Sequence, residues 1–342
     1  MPASDLQAYQ AYFEAGLARS LARYEERVGQ SFSVPTSIRC VSDGTFWASA
    51  RGDKRQLTLS VSTGALDRIH TVWNRALHVS SSLPSASVRR IALLGHESHA
   101  VETSVAWLIQ HELNHHAIGH FDLIDGAGLA EGVSPYGLGI VERARRAQSS
   151  LSAFTPKEMS ELHQCLELQT DHDATEIVLG AYSAENWPLF RYYAICILVV
   201  IFIIEAEERQ SSDPLRYHPY AATRLFMLIA HLVELPTIPG IKRAHAEGLD
   251  HLPKSYLPTA DEMGAYRSEV VKPVMAASQI IAEACGIPEA WDDLGTADAF
   301  FADIDAILIH HADKPEAFQT QGAKQWAELK PLNDKYLRML GW

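Results

Sequence analysis

Apolar residues recur every three or four positions along most of the chain, which is the spacing of amphipathic α-helices. Residues that begin or end helices flank several of these segments, among them Gly29 and the capping box Thr155-Pro156-Lys157-Glu158. The pattern predicts helices over residues 4–28, 63–79, 102–120, 155–179 and 189–209, one that opens at Pro219, and several after Thr259. Most of the chain is therefore expected to be helical.

Three short segments between the first two helices have the pattern of β-strands. Residues 38–41, 45–50 and 56–62 are rich in apolar and β-branched side chains, and apolar and polar residues alternate in the third segment. Asp43-Gly44 lies between the first two segments and is a hairpin signal. We expect a small antiparallel sheet, which makes the fold class α+β and mainly α.

One helical segment is apolar without interruption, over residues 194–204. Extending it to the roughly 20 residues that a membrane-spanning helix needs brings in Arg191 on one side or Glu205, Glu207 and Glu208 on the other. This favours a buried core helix over a membrane span. The first residues lack the features of a signal peptide, so we expect a cytoplasmic protein without membrane association.

Composition narrows the class of protein further. The 342 residues include 29 Lys+Arg and 42 Asp+Glu, a formal net charge of −13, and no local basic run offsets this. A nucleic-acid partner is therefore not expected, because such proteins need a basic face. Cys40, Cys165, Cys196 and Cys285 are scattered, which indicates reduced thiols and not a disulfide framework.

The candidate chemistry lies in the helix predicted over residues 102–120. His111 and His115 are four residues apart, so both imidazoles project from one helix face, at the separation that allows two histidines to hold one zinc ion. Glu112 follows the first histidine. From that position a carboxylate reaches the water at the open position of zinc and can take its proton during attack on a peptide carbonyl.

Two candidates for the third ligand come from different segments. His120 points away from His111 on a continuous helix, so we interpret His116 and His120 as a helix-end pair near the terminal carbonyls. Glu167 and Asp171 share one face of the next predicted helix. Glu167 can bind zinc, and Asp171 can accept the outer N–H of a ligating histidine.

Several other patterns bear on this candidate site. His163 lies one turn before Glu167 and could line the same cleft. The glycine-rich residues 126–139 lack the dinucleotide-binding fingerprint and are interpreted as a mobile loop that could gate the cleft. A di-iron site would need a second Glu-x-x-His motif, which the sequence lacks. The cluster His96, Glu97 and His99 is interpreted as polar loop residues.

Three motifs follow one another along residues 105–225: His111-Glu-x-x-His115, Glu167-x-x-x-Asp171 and His218-Pro219-Tyr-Ala-Ala-Thr-Arg224. This order resembles the glutamate-zincin metallopeptidases. It is most similar to the Lit-type phage-exclusion peptidases, and the same order occurs in the HtpX and CAAX-protease group. Membrane-embedded relatives have several spanning helices, whereas this chain has one apolar segment, so a soluble member of the group is expected.

The resemblance implies a role for each matching residue. His111, His115 and Glu167 would be the zinc ligands, Glu112 the general base, and Asp171 the partner of a ligating histidine. In the third motif, the resemblance implies that either His218 or Tyr217 stabilises the oxyanion and that Arg224 orients a partner. That motif could equally be a helix start with proline in its first turn.

These inferences give a prediction for the whole chain. We expect an N-terminal helix and sheet over residues 1–85, a zincin-like metallopeptidase core over 86–235 and a helical region over 236–342. The expected function is a zinc-dependent endopeptidase that acts on a protein or peptide substrate. The alternative is a non-catalytic binding or regulatory protein with a structural or vestigial metal site.

Overall fold

The computed structural model describes residues 3–85, 87–121, 155–212, 216–309 and 314–340. Their elements, in chain order, are α1 (Ala3–Val28), β1 (Thr36–Val41), β2 (Ala48–Gly52), β3 (Leu57–Ser62), α2 (Thr63–Ser81), α3 (Glu97–Ala117), α4 (Pro156–Leu179), α5 (Trp187–Gln210), α6 (Ala221–Glu234), α7 (Ile238–Ala246), α8 (Ala260–Tyr266), α9 (Lys272–Cys285), α10 (Ala297–Ile309) and α11 (Gln321–Leu340). The predicted mainly helical α+β class is confirmed. The glycine-rich residues 126–139 lie outside the described residues.

The helix boundaries follow the capping signals where those signals are strong. The Thr155 side chain accepts from the backbone N–H of Glu158, and the Glu158 carboxylate accepts from the backbone N–H of Thr155, so α4 begins where the capping box predicts. Gly29 ends α1 with a positive φ of 78°. The predicted start of α3 at residue 102 is wrong, because α3 already begins at Glu97, with His96 as its N-cap residue.

The sheet is mixed, so the antiparallel prediction is wrong. The strand order is β1-β3-β2, with β1 parallel and β2 antiparallel to β3. Asp43-Gly44 does not form a hairpin between β1 and β2. Instead, the Asp43 carboxylate accepts hydrogen bonds from the backbone of Thr45 and the indole of Trp47, and its carbonyl accepts from the N–H of Gly64. These bonds turn the chain toward the start of α2.

The helix that carries the candidate motif, α3, lies in the centre of the fold. It packs against α1, α2, α4 and α5, and β2 packs on it as an edge strand of the sheet. In turn, α4 packs against α5, α6 and α11. The fold therefore brings the third predicted motif, at the start of α6, next to the two helices that carry the first and second motifs.

The apolar segment forms the buried helix that its sequence predicts. Most residues of α5 between Phe190 and Ala206 are buried, and they belong to a hydrophobic core with residues of α1, α2, α3, α6 and α9. By length and composition, two helical stretches could span a membrane, Ala184–Gln210 and Ala221–Ala246. The most apolar window of the first stretch is 78% buried inside the protein, as in a core helix, and that of the second is 56% buried.

Candidate metal centre

The two central helices bring the three predicted zinc ligands together. His111 Nε2 lies 3.1 Å from Glu167 Oε2, and His115 Nε2 lies 3.4 Å from Glu167 Oε1. One donor atom from each of the three residues lies within 4.8 Å of the other two, and all three side chains are buried. His111 and His115 come from successive turns of α3, and Glu167 comes from the facing side of α4.

The donors fit a metal ion by chemistry as well as by distance. Two imidazoles and one carboxylate form the ligand set of catalytic zinc sites that keep a position open. Glu167 Oε2 is buried but has no hydrogen-bond partner of normal geometry in the described part of the chain. A buried carboxylate oxygen without a partner is costly. A cation between these three side chains would remove that cost, so the residues fit the predicted ion.

His111 is held by a buried ion pair that joins two helices. Its Nδ1–H donates to Asp171 Oδ1 at 2.9 Å, which leaves Nε2 facing Glu167. Arg224 on α6 binds the same aspartate with two hydrogen bonds, Nε to Oδ2 at 2.6 Å and Nη2 to Oδ1 at 2.7 Å. Arg224 therefore fixes Asp171, and Asp171 fixes the tautomer of His111.

His115 is held by a second chain of hydrogen bonds, which the sequence did not predict. Its Nδ1 lies 3.0 Å from His120 Nδ1, and His120 Nε2 lies 2.9 Å from Gln169 Oε1. The Gln169 amide donates to Asn333 Oδ1 on α11. Because Gln169 Oε1 accepts from His120 Nε2–H, His120 Nδ1 accepts from His115 Nδ1–H. This leaves the lone pair of His115 Nε2 directed to the centre.

The predicted pairing of His116 and His120 near the terminal carbonyls of the helix is wrong. The helix stops at Ala117, and Gly119 has a φ of 89°, which turns the chain back so that His120 lies buried beside His115. A continuous helix would have directed it to the opposite face. His116 lies 3.0 Å from the carbonyl of Asp53 in the turn between β2 and β3, and so does not cap α3.

The electrostatics of the centre favour a positive charge among its donors. Burial lowers the pKa of His111, but the carboxylates of Glu167 and Asp171 outweigh burial and raise it to about 10. Burial raises the pKa of Glu167, while His218 and His111 hold it well below its usual range. Burial, with a smaller contribution from His115, lowers the pKa of His120 to about 3, which keeps that imidazole neutral.

Glu112 lies at the same centre but is not one of the three donors. It is buried, and burial raises the pKa of its carboxyl group, partly offset by attraction to His111, His115 and His218. A carboxylate whose pKa is raised is a better proton acceptor than one at its ordinary value. Its position one residue after His111 places it where the sequence predicts a general base.

The third motif lies against the open side of Glu167. His218 Nε2 is 3.5 Å from Glu167 Oε2, and His218 Nδ1 donates to Glu208 Oε1 at 2.6 Å. The ring of Tyr217 makes an edge contact with His163, with centroids 5.7 Å apart. His163 is buried, and its Nε2 has no hydrogen-bond partner among the described residues. His163 therefore lies beside the third motif, one helical turn before Glu167.

Three residues that support this centre, Gln169, Glu208 and Asn333, were not predicted from the sequence, and His120 was predicted in a different role. In the sequence, Glu208 has no signal beyond its charge at the end of an apolar segment, although its partner His218 is a candidate. Gln169 was within reach of sequence reasoning, because it lies two residues after Glu167. Asn333 carries no signal, since it follows Gln169 by 164 residues.

No family model, curated protein or solved structure matches this chain.

Proposed function

We propose that this protein is a zinc-dependent endopeptidase. The observation that carries the proposal is the convergence of His111, His115 and Glu167 with Glu112 beside them. A structural zinc site is closed by four protein ligands and has no use for an adjacent carboxylate with a raised pKa. The motif order shared with the Lit-type family supports the same reaction class and adds a role in phage exclusion as a hypothesis.

In the proposed reaction, the zinc ion and the residues of the chain have different roles. When bound, zinc supplies a Lewis acid and lowers the pKa of water at its open position. Glu112 accepts the proton of the attacking water and returns it to the leaving amine. Asp171 and His120 keep both ligating imidazoles in the tautomer that presents Nε2. In its doubly protonated form, His218 donates Nδ1–H to Glu208 and presents Nε2–H to the developing oxyanion.

The sheet supplies a place for an extended substrate. β2 is an edge strand and packs on α3, the helix that carries both histidines. An extended peptide that pairs with an edge strand gains main-chain hydrogen bonds independent of its sequence. The proposed substrate is therefore a polypeptide segment in extended conformation, which aligns its scissile bond along α3.

Glu112→Gln is the direct test of the catalytic role. The parent and the variant, each supplied with zinc, are incubated with a mixture of cellular proteins, and new N-termini are identified by mass spectrometry. We expect cleavage by the parent and a loss of at least about 100-fold in the variant, since general-base catalysis contributes roughly 10²–10⁴-fold. Zinc binding by the variant stays at the parental level. Equal cleavage by the two proteins contradicts the proposal.

Metal analysis tests the centre without a known substrate. Glu167→Ala should bind one zinc ion fewer per chain than the parent, as measured by elemental mass spectrometry. Glu161→Ala is a matched control, because Glu161 lies on the same helix and pairs with Lys157 at its surface. Zinc at this centre without cleavage of any protein, in the parent as in Glu112→Gln, would support the alternative of a binding protein with a vestigial site.

A further inference from the structure

A second group of possible metal ligands lies on the other side of the Asp171–Arg224 ion pair. His172 and Glu176 are four residues apart on α4, and His231 faces them from α6. One donor atom from each lies within 4.8 Å of the other two. His172 Nε2 is 3.8 Å from Glu176 Oε1, and the two histidine rings meet edge to face with centroids 5.3 Å apart.

The helical spacing explains why these residues meet. His231 follows Arg224 by seven residues, so both lie on the face of α6 that packs against α4. On α4, His172 directly follows Asp171, the partner of Arg224. A cavity between the helices is lined by Asp171, His172, Arg224 and His231. The cluster is therefore built by the same helix pair that orients the first centre.

His231 has the burial and the protonation state that are expected of a metal ligand. Its side chain is 94% buried, and its Nε2 has no hydrogen-bond partner within the described ranges. Burial, with a smaller contribution from His172, lowers its pKa to about 3, so the imidazole is in the neutral form that binds metals. A buried ring nitrogen without a partner destabilises a fold unless an ion or another group occupies the adjacent space.

The surroundings of the cluster are acidic. Asp173 and Glu234 each interact electrostatically with His172, in addition to Glu176. His172 and Glu176 are exposed, whereas His231 lies at the buried end. An ion from solvent could thus reach the exposed pair first and still contact the buried imidazole.

We propose that His172, Glu176 and His231 form a second site for a divalent transition-metal ion of the zinc class. Two imidazoles and one carboxylate suit zinc and its neighbours, whereas magnesium and calcium prefer oxygen ligands alone. The bound ion connects α4 to α6 and so reinforces the contact through which Arg224 holds Asp171. This proposal is independent of the peptidase proposal, because it uses none of the residues assigned to catalysis.

The test measures zinc binding by the untagged full-length chain after removal of metal, by titration and elemental mass spectrometry. The parent is expected to bind two zinc ions, whereas His172→Ala and Glu176→Gln each bind one. Both substitutions alter exposed side chains, so the fold is retained. His251→Ala, which removes an exposed histidine outside both clusters, is the control and keeps both ions.

Glu167→Ala separates this inference from the proposed function. That variant should still bind one zinc ion, and zinc should raise its unfolding temperature. Combining it with His172→Ala should abolish both effects. A Glu167→Ala protein whose zinc binding is unchanged by His172→Ala overturns the second site. A different result is expected if the first centre binds no zinc. In that case Glu167→Ala leaves the number of bound zinc ions unchanged, while His172→Ala still lowers it.

Discussion

At the scale of single residues, the tautomers of two histidines determine what the centre can bind. His111 and His115 both present Nε2 to Glu167, since Asp171 and His120 engage the Nδ1 atoms. The two supports differ in charge. Asp171 is a carboxylate that raises the basicity of His111, whereas His120 is a neutral imidazole. His115 should therefore be the weaker and more easily exchanged of the two ligands.

Replacing His120 tests this arrangement. His120→Ala removes the acceptor of the His115 Nδ1–H, so we expect zinc affinity at the first centre to fall roughly 10- to 100-fold, the usual effect of losing a group that orients a ligand. His120→Gln, which retains an acceptor, should recover part of the affinity. His116→Ala is the neighbouring control and should bind zinc as the parent does. Titration against a chelator measures each dissociation constant, and parental affinity in His120→Ala would contradict the assignment.

The Asp171–Arg224 ion pair leads to a separate prediction about the stability of the folded protein. Arg224→Met leaves the Asp171 carboxylate buried beside an apolar side chain, and losing one partner of such a pair costs about 3–5 kcal/mol. Adding Asp171→Asn removes the unpaired charge, so the double variant should be less destabilised than the sum of the two single variants. Urea denaturation of the four proteins gives this coupling energy. Additive effects would mean that the pair does not act as a unit.

At the scale of elements, the close approach of the β1–β2 connection to the first turn of α2 explains the unexpected turn at Asp43-Gly44. Gly64, in the first turn of α2, donates its N–H to the carbonyl of Asp43 at 2.8 Å. A Cβ at Gly64 would lie 2.4 Å from the carbonyl oxygen of Thr45 and 2.5 Å from that of Gly44. The turn and the helix start therefore fit together only because residue 64 lacks a side chain.

Alanine at two glycines should have opposite effects. Gly64→Ala forces the turn away from α2, and we expect a loss of about 1–3 kcal/mol of stability, as for other overpacked sites. Gly264→Ala lies in α8, where, apart from its own helical turn, no described heavy atom is within 4 Å of the new Cβ. It should gain roughly 0.5–1 kcal/mol from helix propensity. Thermal denaturation compares the pair, and a stable Gly64→Ala would show that the turn is not packed as described.

Local sequence signals predicted the helices and strands well, but they could not predict which distant strands and side chains pair. The capping box at Thr155 and the glycine at residue 29 are local chemistry, so the ends of α4 and α1 follow from the sequence. The parallel pairing of β1 with β3 depends on a distant packing arrangement. The pairing of His111 with His115 follows from helical spacing, whereas Glu167 was selected with the help of the motif order and the position of His120 depends on a single turn at Gly119.

At the scale of the whole molecule, one hydrophobic core contains residues from all three predicted regions, which are residues 1–85, 86–235 and 236–342. The main hydrophobic cluster contains buried residues from each range. The first and third ranges also pack directly, through α2 against α9, where Arg68 donates to the carbonyl of Cys285. Independent domains have few contacts across their boundaries. We therefore expect the three ranges to unfold together.

The four cysteines can report on that cooperativity. All four are buried free thiols, and burial raises the pKa of Cys165 and of Cys285 to about 12 and also raises the pKa of Cys40 and Cys196. Thiolates are the reactive form, so none should react rapidly with a thiol reagent in the native protein. Denaturation should expose all four.

The order of exposure distinguishes one unfolding unit from several. Cys40 belongs to the first range, Cys165 and Cys196 to the second and Cys285 to the third, and Cys165 packs in a smaller cluster between α4 and α11. If the shared core governs stability, labelling followed by peptide mass spectrometry should give four coincident transitions as urea increases. Earlier labelling of Cys165 alone would mean that α11 detaches first, and with it Asn333, which anchors the chain of hydrogen bonds behind His115. Zinc affinity would then fall at the urea concentration where Cys165 reacts, ahead of global unfolding.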